Sequence, residues 1–216
     1  MIPSRELVVD GVLFDMDGTL VDSTVIVEQM WTEFANAHGA HASEVIEFAH
    51  GRPSRDTIAR FAPHAFDEWN ERFIHGEHTR FAEVIEVPGA VAFATSLPRG
   101  RWALVTSALH TPARERLKVI GIEPPHVVVG AEDVVRGKPD PEGYLAAASA
   151  LGLDPARCVV FEDTDAGLRA GLAAGCSVIA VGDVIAPALP IAARVADFLS
   201  VSARVLDDGR IAISGL

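Results

Sequence analysis

Cysteine is scarce in this chain: Cys158 and Cys176 are the only two among 216 residues. Two thiols make neither a disulfide framework nor a metal-ligand set, and they read as buried side chains in a reducing compartment. Basic charge is also short, with 18 Lys and Arg against 30 Asp and Glu and a net charge of −12. That balance excludes the broad cationic face needed by a nucleic-acid or anionic-membrane binder. It leaves room for a small anionic ligand, because a metal ion or a single lysine inverts the local field. No apolar run has the length of a membrane span. The N-terminal stretch MIPSRELVVDG carries Arg5, Glu6 and Asp10 where a signal peptide would be apolar. No G-x-G-x-x-G follows the first apolar run and no G-x-x-x-x-G-K-[ST] occurs, which argues against dinucleotide-binding and P-loop proteins. The expectation is a soluble, cytoplasmic protein without nucleic-acid or membrane partners.

What the chain does have is apolar residues, 49% of the total, enough for a sizeable core. Short apolar runs recur: GVLFD (11–15), RWALVTS (101–107), HVVVG (126–130), RCVVFED (157–163) and CSVIAVGD (176–183). Continuous Val, Ile and Leu runs suit strands buried on both faces. Helical patterns lie between them, as in TPARERLKVIG (111–121), with Thr111 as N-cap, Pro112 at the first helical position and Gly121 as the stop, and PEGYLAAASALGL (141–153). The alternation predicts a doubly wound parallel α/β sheet. The tail RVLDDGRIAIS (204–214) reads as a hairpin turning at Asp208-Gly209.

One stretch interrupts the alternation. Between about Val21 and Val87 the patterns are helical, with no clear strand. In IVEQMWTEFANAHG (26–39), Ile26, Met30, Phe34 and Ala37 share one face. Six of the eight His and six of the ten Phe lie between Phe34 and Phe81. This predicts a helical insertion spanning 21–87 in a core made of 1–20 and 88–216, with Gly18 and Pro88-Gly89 as hinge segments. The Phe side chains are expected in a small helical core and the His side chains in solvent.

The polar clusters all follow strands. Asp15 and Asp17 follow VLF, Thr106 and Ser107 follow WALV, Lys138 follows VVVG after a loop, and Glu162 and Asp163 follow CVVF. In an open parallel sheet the strand C-termini line one edge, where ligands bind. Crowded carboxylates raise one another's pKa unless a cation intervenes, and an all-oxygen donor set suits Mg²⁺. A lysine and a hydroxyl beside that ion make a cradle for a phosphoryl group. One carboxylate can attack phosphorus, and its neighbour two residues on can move the proton. In extended backbone residues two apart share a face, and Gly18 permits the bend expected at Met16–Gly18 beyond the strand.

In this arrangement FDMDGTLVDS, LVTS, GKPDPEGY and FEDTDAG resemble the four motifs of the haloacid dehalogenase superfamily of phosphohydrolases, in order and across nearly the whole chain. The resemblance implies a Rossmann-like core with a small α-helical cap domain inserted after the first motif. HGRPSRDTIARFAP (50–63) is similar to the cap segment of sugar-phosphate and glycerol-phosphate phosphatases, and of the related β-phosphoglucomutases. Carried over by position, Asp15 is the nucleophile and Asp17 the general acid/base. Thr106, Ser107 and Lys138 bind the phosphoryl group. Asp15, the Asp17 carbonyl and Asp163 hold Mg²⁺, with Glu162 beside them, bound through water or accepting hydrogen bonds. Asp22 has a structural role at the cap hinge, and Arg52 or Arg55 clamps the distal end of the substrate. The mutases carry a His early in the first cap helix; here that position is Val27, which favours hydrolysis. A phospho-receiver domain, which gathers similar groups, has its lysine last and no inserted cap. The expected ligand is a small phosphorylated sugar or polyol, and the chain a monomer or weak homodimer.

Overall fold

The computed structural model describes residues 6–184 and 189–216; residues 1–5, part of the N-terminal stretch discussed above, lie outside the described residues. The centre is a six-stranded parallel sheet. Its strands are β2 (Gly11–Phe14), β5 (Trp102–Val105), β6 (Val127–Val129), β7 (Cys158–Glu162), β8 (Ser177–Val181) and β9 (Ala193–Val195), in the order β6-β5-β2-β7-β8-β9. The first five are the apolar runs of the sequence. The three-residue β9 lacks such a run, and its register Ile179↔Ala193 with β8 places it at the sheet edge. From β2 the chain winds outward to β5 and β6, then returns to β7 and winds the other way. That reversal defines a Rossmann-like α/β fold with its switch point between β2 and β7.

Residues buried on both faces explain the unbroken apolar runs. Val12, Phe14, Leu104, Phe161 and Ile179 face one layer, with helices α5 (Ala90–Ser96) and α6 (His110–Val119). Leu13, Val105, Val160 and Val178 face the other, with α7 (Glu142–Leu151) and α8 (Asp165–Ala173). The Phe14 and Phe161 rings stack at 5.4 Å between centroids. A second, antiparallel sheet pairs β1 (Leu7–Val9) with β11 (Ile211–Ser214) and β10 (Ser202–Val205). β10 and β11 form the predicted hairpin, turning through Asp208-Gly209.

Four helices, α1 (Thr24–His38), α2 (Ala42–Ala49), α3 (Ser54–Phe61) and α4 (Phe66–Thr79), form the insertion, with an apolar cluster of their own. Contrary to the sequence reading, two short strands bound it. Val21 pairs with Glu86 and Asp22 with Ile85, joining β3 (Val21–Asp22) to β4 (Ile85–Glu86) at its base. Two-residue strands leave no alternation to read. The buried face of α1 is also rotated from the expected one. Ile26, Trp31, Phe34 and Ala35 are buried and Ala37 is exposed, because Trp31 and Phe34 pack on Phe73 and Trp69 of α4, at 4.0 and 5.1 Å. His41, His50, His64, His75 and His78 are exposed, while His38 packs between Phe34 and Trp69. Helix α6 starts before the predicted cap, at His110. The Leu109 and His110 N–H groups are taken by the carboxylates of Glu77 and Glu132, so Thr111 and Pro112 fall in the first turn.

Candidate active site

The site is built at the C-terminal edge of β2, β5 and β7. Beyond Phe14 the backbone turns sharply: the Met16 carbonyl accepts the N–H groups of Thr19, Leu20 and Val21, and Gly18 N–H bonds the Val21 carbonyl. The turn follows directly on the strand, and Asp15 and Asp17 on either side of Met16 line one cavity. Gly18 has φ of +88°, and a Cβ there would overlap the Asp163 carboxylate. The glycine therefore serves both the turn and the close approach of the two loops.

Asp15, Lys138 and Glu162 are buried together. Lys138 Nζ donates to Asp15 Oδ1, to Glu162 Oε1 at 2.6 Å and to the Val105 carbonyl at 3.3 Å. Glu162 is saturated: Oε1 also accepts from Tyr144 Oη at 3.2 Å, and Oε2 accepts from Thr164 N and Oγ1, both at 2.9 Å. Its four bonds fit a side chain that fixes the lysine. Asp163 accepts from Thr19 Oγ1 at 3.4 Å. Burial pushes the Asp15 carboxyl up to about 7, against the pull of Lys138 and with Glu162 adding to the rise. Burial, then Glu162 and Asp15, push Asp163 well above the carboxylate range. Lys138 is desolvated too, yet the two carboxylates hold its ammonium above its usual range.

Oxygen atoms of Asp15, Glu162 and Asp163 lie within 4.8 Å of one another. Three carboxylates face one ammonium, so a divalent cation would offset the remaining charge, and the all-oxygen donor set suits a hard ion. Asp15 and Asp163 are the two side chains with bonding capacity left for it.

Thr106 is buried, its Oγ1 accepting the Ala108 N–H. Ser107 Oγ donates to the Gly51 carbonyl of the insertion at 2.9 Å. Asp22 Oδ1 accepts the Thr24 N–H at the start of α1, a structural role as expected. Above these groups is a cavity of about 150 Å³. Its floor includes Asp15, Asp17, Thr106, Ser107 and Asp163, and its roof includes Val27, Met30, Trp31, His50, Arg52 and Phe73. Arg52 lies over the Phe48 ring, 4.6 Å from its centroid. Arg55 departs from the substrate-clamp expectation. It is not part of the cavity wall, because its guanidinium donates to the carbonyls of Ala131 and Val134 at 2.9 and 3.0 Å.

Three contributors were not singled out from sequence. Arg116 of α6 is buried and donates to both oxygens of Asp17, at 3.0 and 3.1 Å. Ser23 Oγ donates to Asp17 Oδ1 at 2.6 Å. Glu77 of α4 lines the cavity and accepts the Leu109 N–H at 3.3 Å. A serine six residues after Asp17, just ahead of a helix, was a readable signal; Arg116 and Glu77 sit among other charged residues and gave none.

The haloacid dehalogenase-like hydrolase family matches residues 9–175, and the chain belongs to it. Hexitol phosphatase A of Escherichia coli (strain K12) is 44% identical over 177 residues, covering 79% of this chain and 82% of that one. Glycerol-1-phosphate phosphohydrolase 1 of Saccharomyces cerevisiae is 37% identical over 188 residues, covering 81% and 75%. Among solved structures, a putative β-phosphoglucomutase from Thermotoga maritima superposes with a TM-score of 0.59 at 25% identity, covering 86% of this chain and 94% of that one. The chain is a hydrolase of the phosphatase type. Among the described residues, no helix is long and apolar enough to cross a membrane.

Proposed function

We propose that the chain is a Mg²⁺-dependent phosphomonoester hydrolase acting on a small phosphorylated sugar or polyol through an aspartyl-phosphate. The observation that carries the reading is that Asp15, Asp17 and Asp163 line one small roofed cavity while buried Lys138, outside its lining, is joined to Asp15. The relatives' activities on hexitol and glycerol phosphates support the substrate class.

In this reading residues 21–87 are a cap domain over a core of 1–20 and 88–216. Thr106, Ser107 and Lys138 hold the phosphoryl oxygens. Asp15 attacks phosphorus, and its new P–O bond forms as the ester P–O bond breaks. Asp17 gives its proton to the departing alkoxide. It then takes a proton from the water that attacks the aspartyl-phosphate, releasing phosphate and restoring Asp15. Asp15, Asp163 and the Asp17 carbonyl would hold Mg²⁺, which would offset the charge on the phosphoryl oxygens. The insertion gives the cavity apolar Ile26, Val27, Met30, Trp31 and Phe73 together with polar Thr24, His50, Arg52, Ser54 and Glu77, a mixture that suits a short polyhydroxylated carbon chain. Val27 stands in that roof where a mutase carries His, which favours hydrolysis over phosphoryl exchange.

The test is a screen of polyol and sugar phosphates with wild type and Asp15→Asn, with rapid quench to trap phosphoenzyme. Wild type should turn over with Mg²⁺, lose activity in EDTA and remain inactive with Ca²⁺, which prefers more ligands at longer distances. Asp15→Asn should be inactive and folded. Trapped phosphate on another residue, near-normal turnover by Asp15→Asn, or full activity without metal would overturn the reading.

A further inference from the structure

The buried arginine of α6 has no place in the family-based assignment, and its geometry gives it one. Arg116 is only 6% exposed, and a buried guanidinium requires compensation. Its contact partner is Asp17: one terminal nitrogen reaches both carboxylate oxygens, and Ser23 also donates to Oδ1. Arg116 Nε is buried without a hydrogen-bond partner, so packing places this side chain at the cost of one of its donors. The other nearby acid is Glu77, reaching in from α4. Asp17 is thus clamped by two donors from different elements, one on the core helix α6 and one beside the start of α1.

An acid/base residue has to keep its carboxylate at one place for two successive proton transfers, one to the departing alkoxide and one from the attacking water. A free Asp at the tip of a tight turn has several rotamers, and donors from two different elements restrict it. We propose that Arg116 is a positioning residue for Asp17, holding its carboxylate at the cavity floor in the orientation both transfers need. The proposal rests on the reading that Asp17 moves the proton.

The test measures kcat and KM for glycerol phosphate and for p-nitrophenyl phosphate, whose leaving group needs little protonation. The proteins are wild type, Arg116→Ala, Arg116→Lys, Asp17→Asn and both Arg116 variants combined with Asp17→Asn. Arg116→Ala should lower kcat on glycerol phosphate about ten- to a hundredfold, the scale of a misplaced catalytic group, with KM nearly unchanged and the aryl phosphate affected much less. Arg116→Lys should recover part of the loss. Neither Arg116 change should add to the loss already caused by Asp17→Asn. If Arg116→Ala does not fold, Arg116→Lys, which keeps the charge, and its combination with Asp17→Asn carry the same comparison. Equal losses on both substrates, or losses that multiply with Asp17→Asn, would overturn the positioning role. Asp17→Asn sparing glycerol phosphate would instead overturn the reading of Asp17, and the positioning role with it.

Discussion

Glu77 carries a charge conflict that can be read in solution. Burial pushes its carboxyl from 4.5 up to about 7, against the pull of Arg116 and the Leu109 N–H; Asp17 and Glu132 add to the rise. The folded chain therefore holds a proton there that the unfolded chain has lost between those two values. Stability gained from this proton falls as pH rises from about 4.5 through about 7. Glu77→Gln removes the titration, so the variant should nearly match wild type near pH 5 and melt about 4–8 °C higher near pH 8, the shift for roughly 2 kcal/mol once the pKa rise is discounted for the partial exposure of Glu77. Thermal melts of both proteins at the two pH values check this; an equal difference at both would show that the carboxyl does not titrate in that range. The acids of the reacting centre were legible because each ends an apolar strand. Glu77 and Arg116 were not. In PARERLK three of the seven residues are charged and cationic, and helical periodicity alone does not say which one faces inward.

At the scale of elements, the turn from β7 into α8 ties the site to the core. Thr164 caps α8, its Oγ1 accepting the Gly167 N–H at 3.1 Å, while Glu162 accepts both donors of Thr164. Gly167 lies in the first turn of α8 against the Glu162 carboxylate, which a Cβ would overlap. In an exposed helix, Gly→Ala stabilises by about 1 kcal/mol. Here Glu162 is fully buried with four bonds and has nowhere to retreat. Gly167→Ala should therefore destabilise by about 1–3 kcal/mol, the range for overpacking, and loosen Lys138 as Glu162 shifts. Denaturant unfolding measures the sign; a stabilised variant would mean that Glu162 can move freely. The strand was readable from its apolar run CVVF, but the Thr164 cap and the close approach of Gly167 depend on where Glu162 is buried and were not read from FEDTDAG. The strands β3 and β4 were invisible for the opposite reason: two residues each, held by the closure of a distant pair of segments.

At the scale of the whole molecule, the polar contacts between the insertion and the core do different work. Arg55 reaches across to the Ala131 and Val134 carbonyls, and Ser107 reaches back to the Gly51 carbonyl. Arg52, three residues away, lines the cavity instead. Both arginines belong to the short stretch GRPSRD, where nothing in the residue pattern separates them; only the packing of α3 against the loop after β6 assigns them to different surfaces. Their removal should therefore differ in kind. Arg55→Ala loses two charge-assisted bonds that hold the insertion against the core and none that a ligand would make. It should lower kcat/KM by about tenfold, the scale of one such bond, and equally for a polyol phosphate and p-nitrophenyl phosphate, because closure excludes water from either reaction. Backbone amides around residues 51–55 should also exchange faster with deuterium in that variant. Arg52→Ala should spare the aryl phosphate and lose activity mainly on the polyol phosphate. A polyol-selective loss in Arg55→Ala, with no change in exchange, would return Arg55 to the substrate and remove it from the seam between the two units.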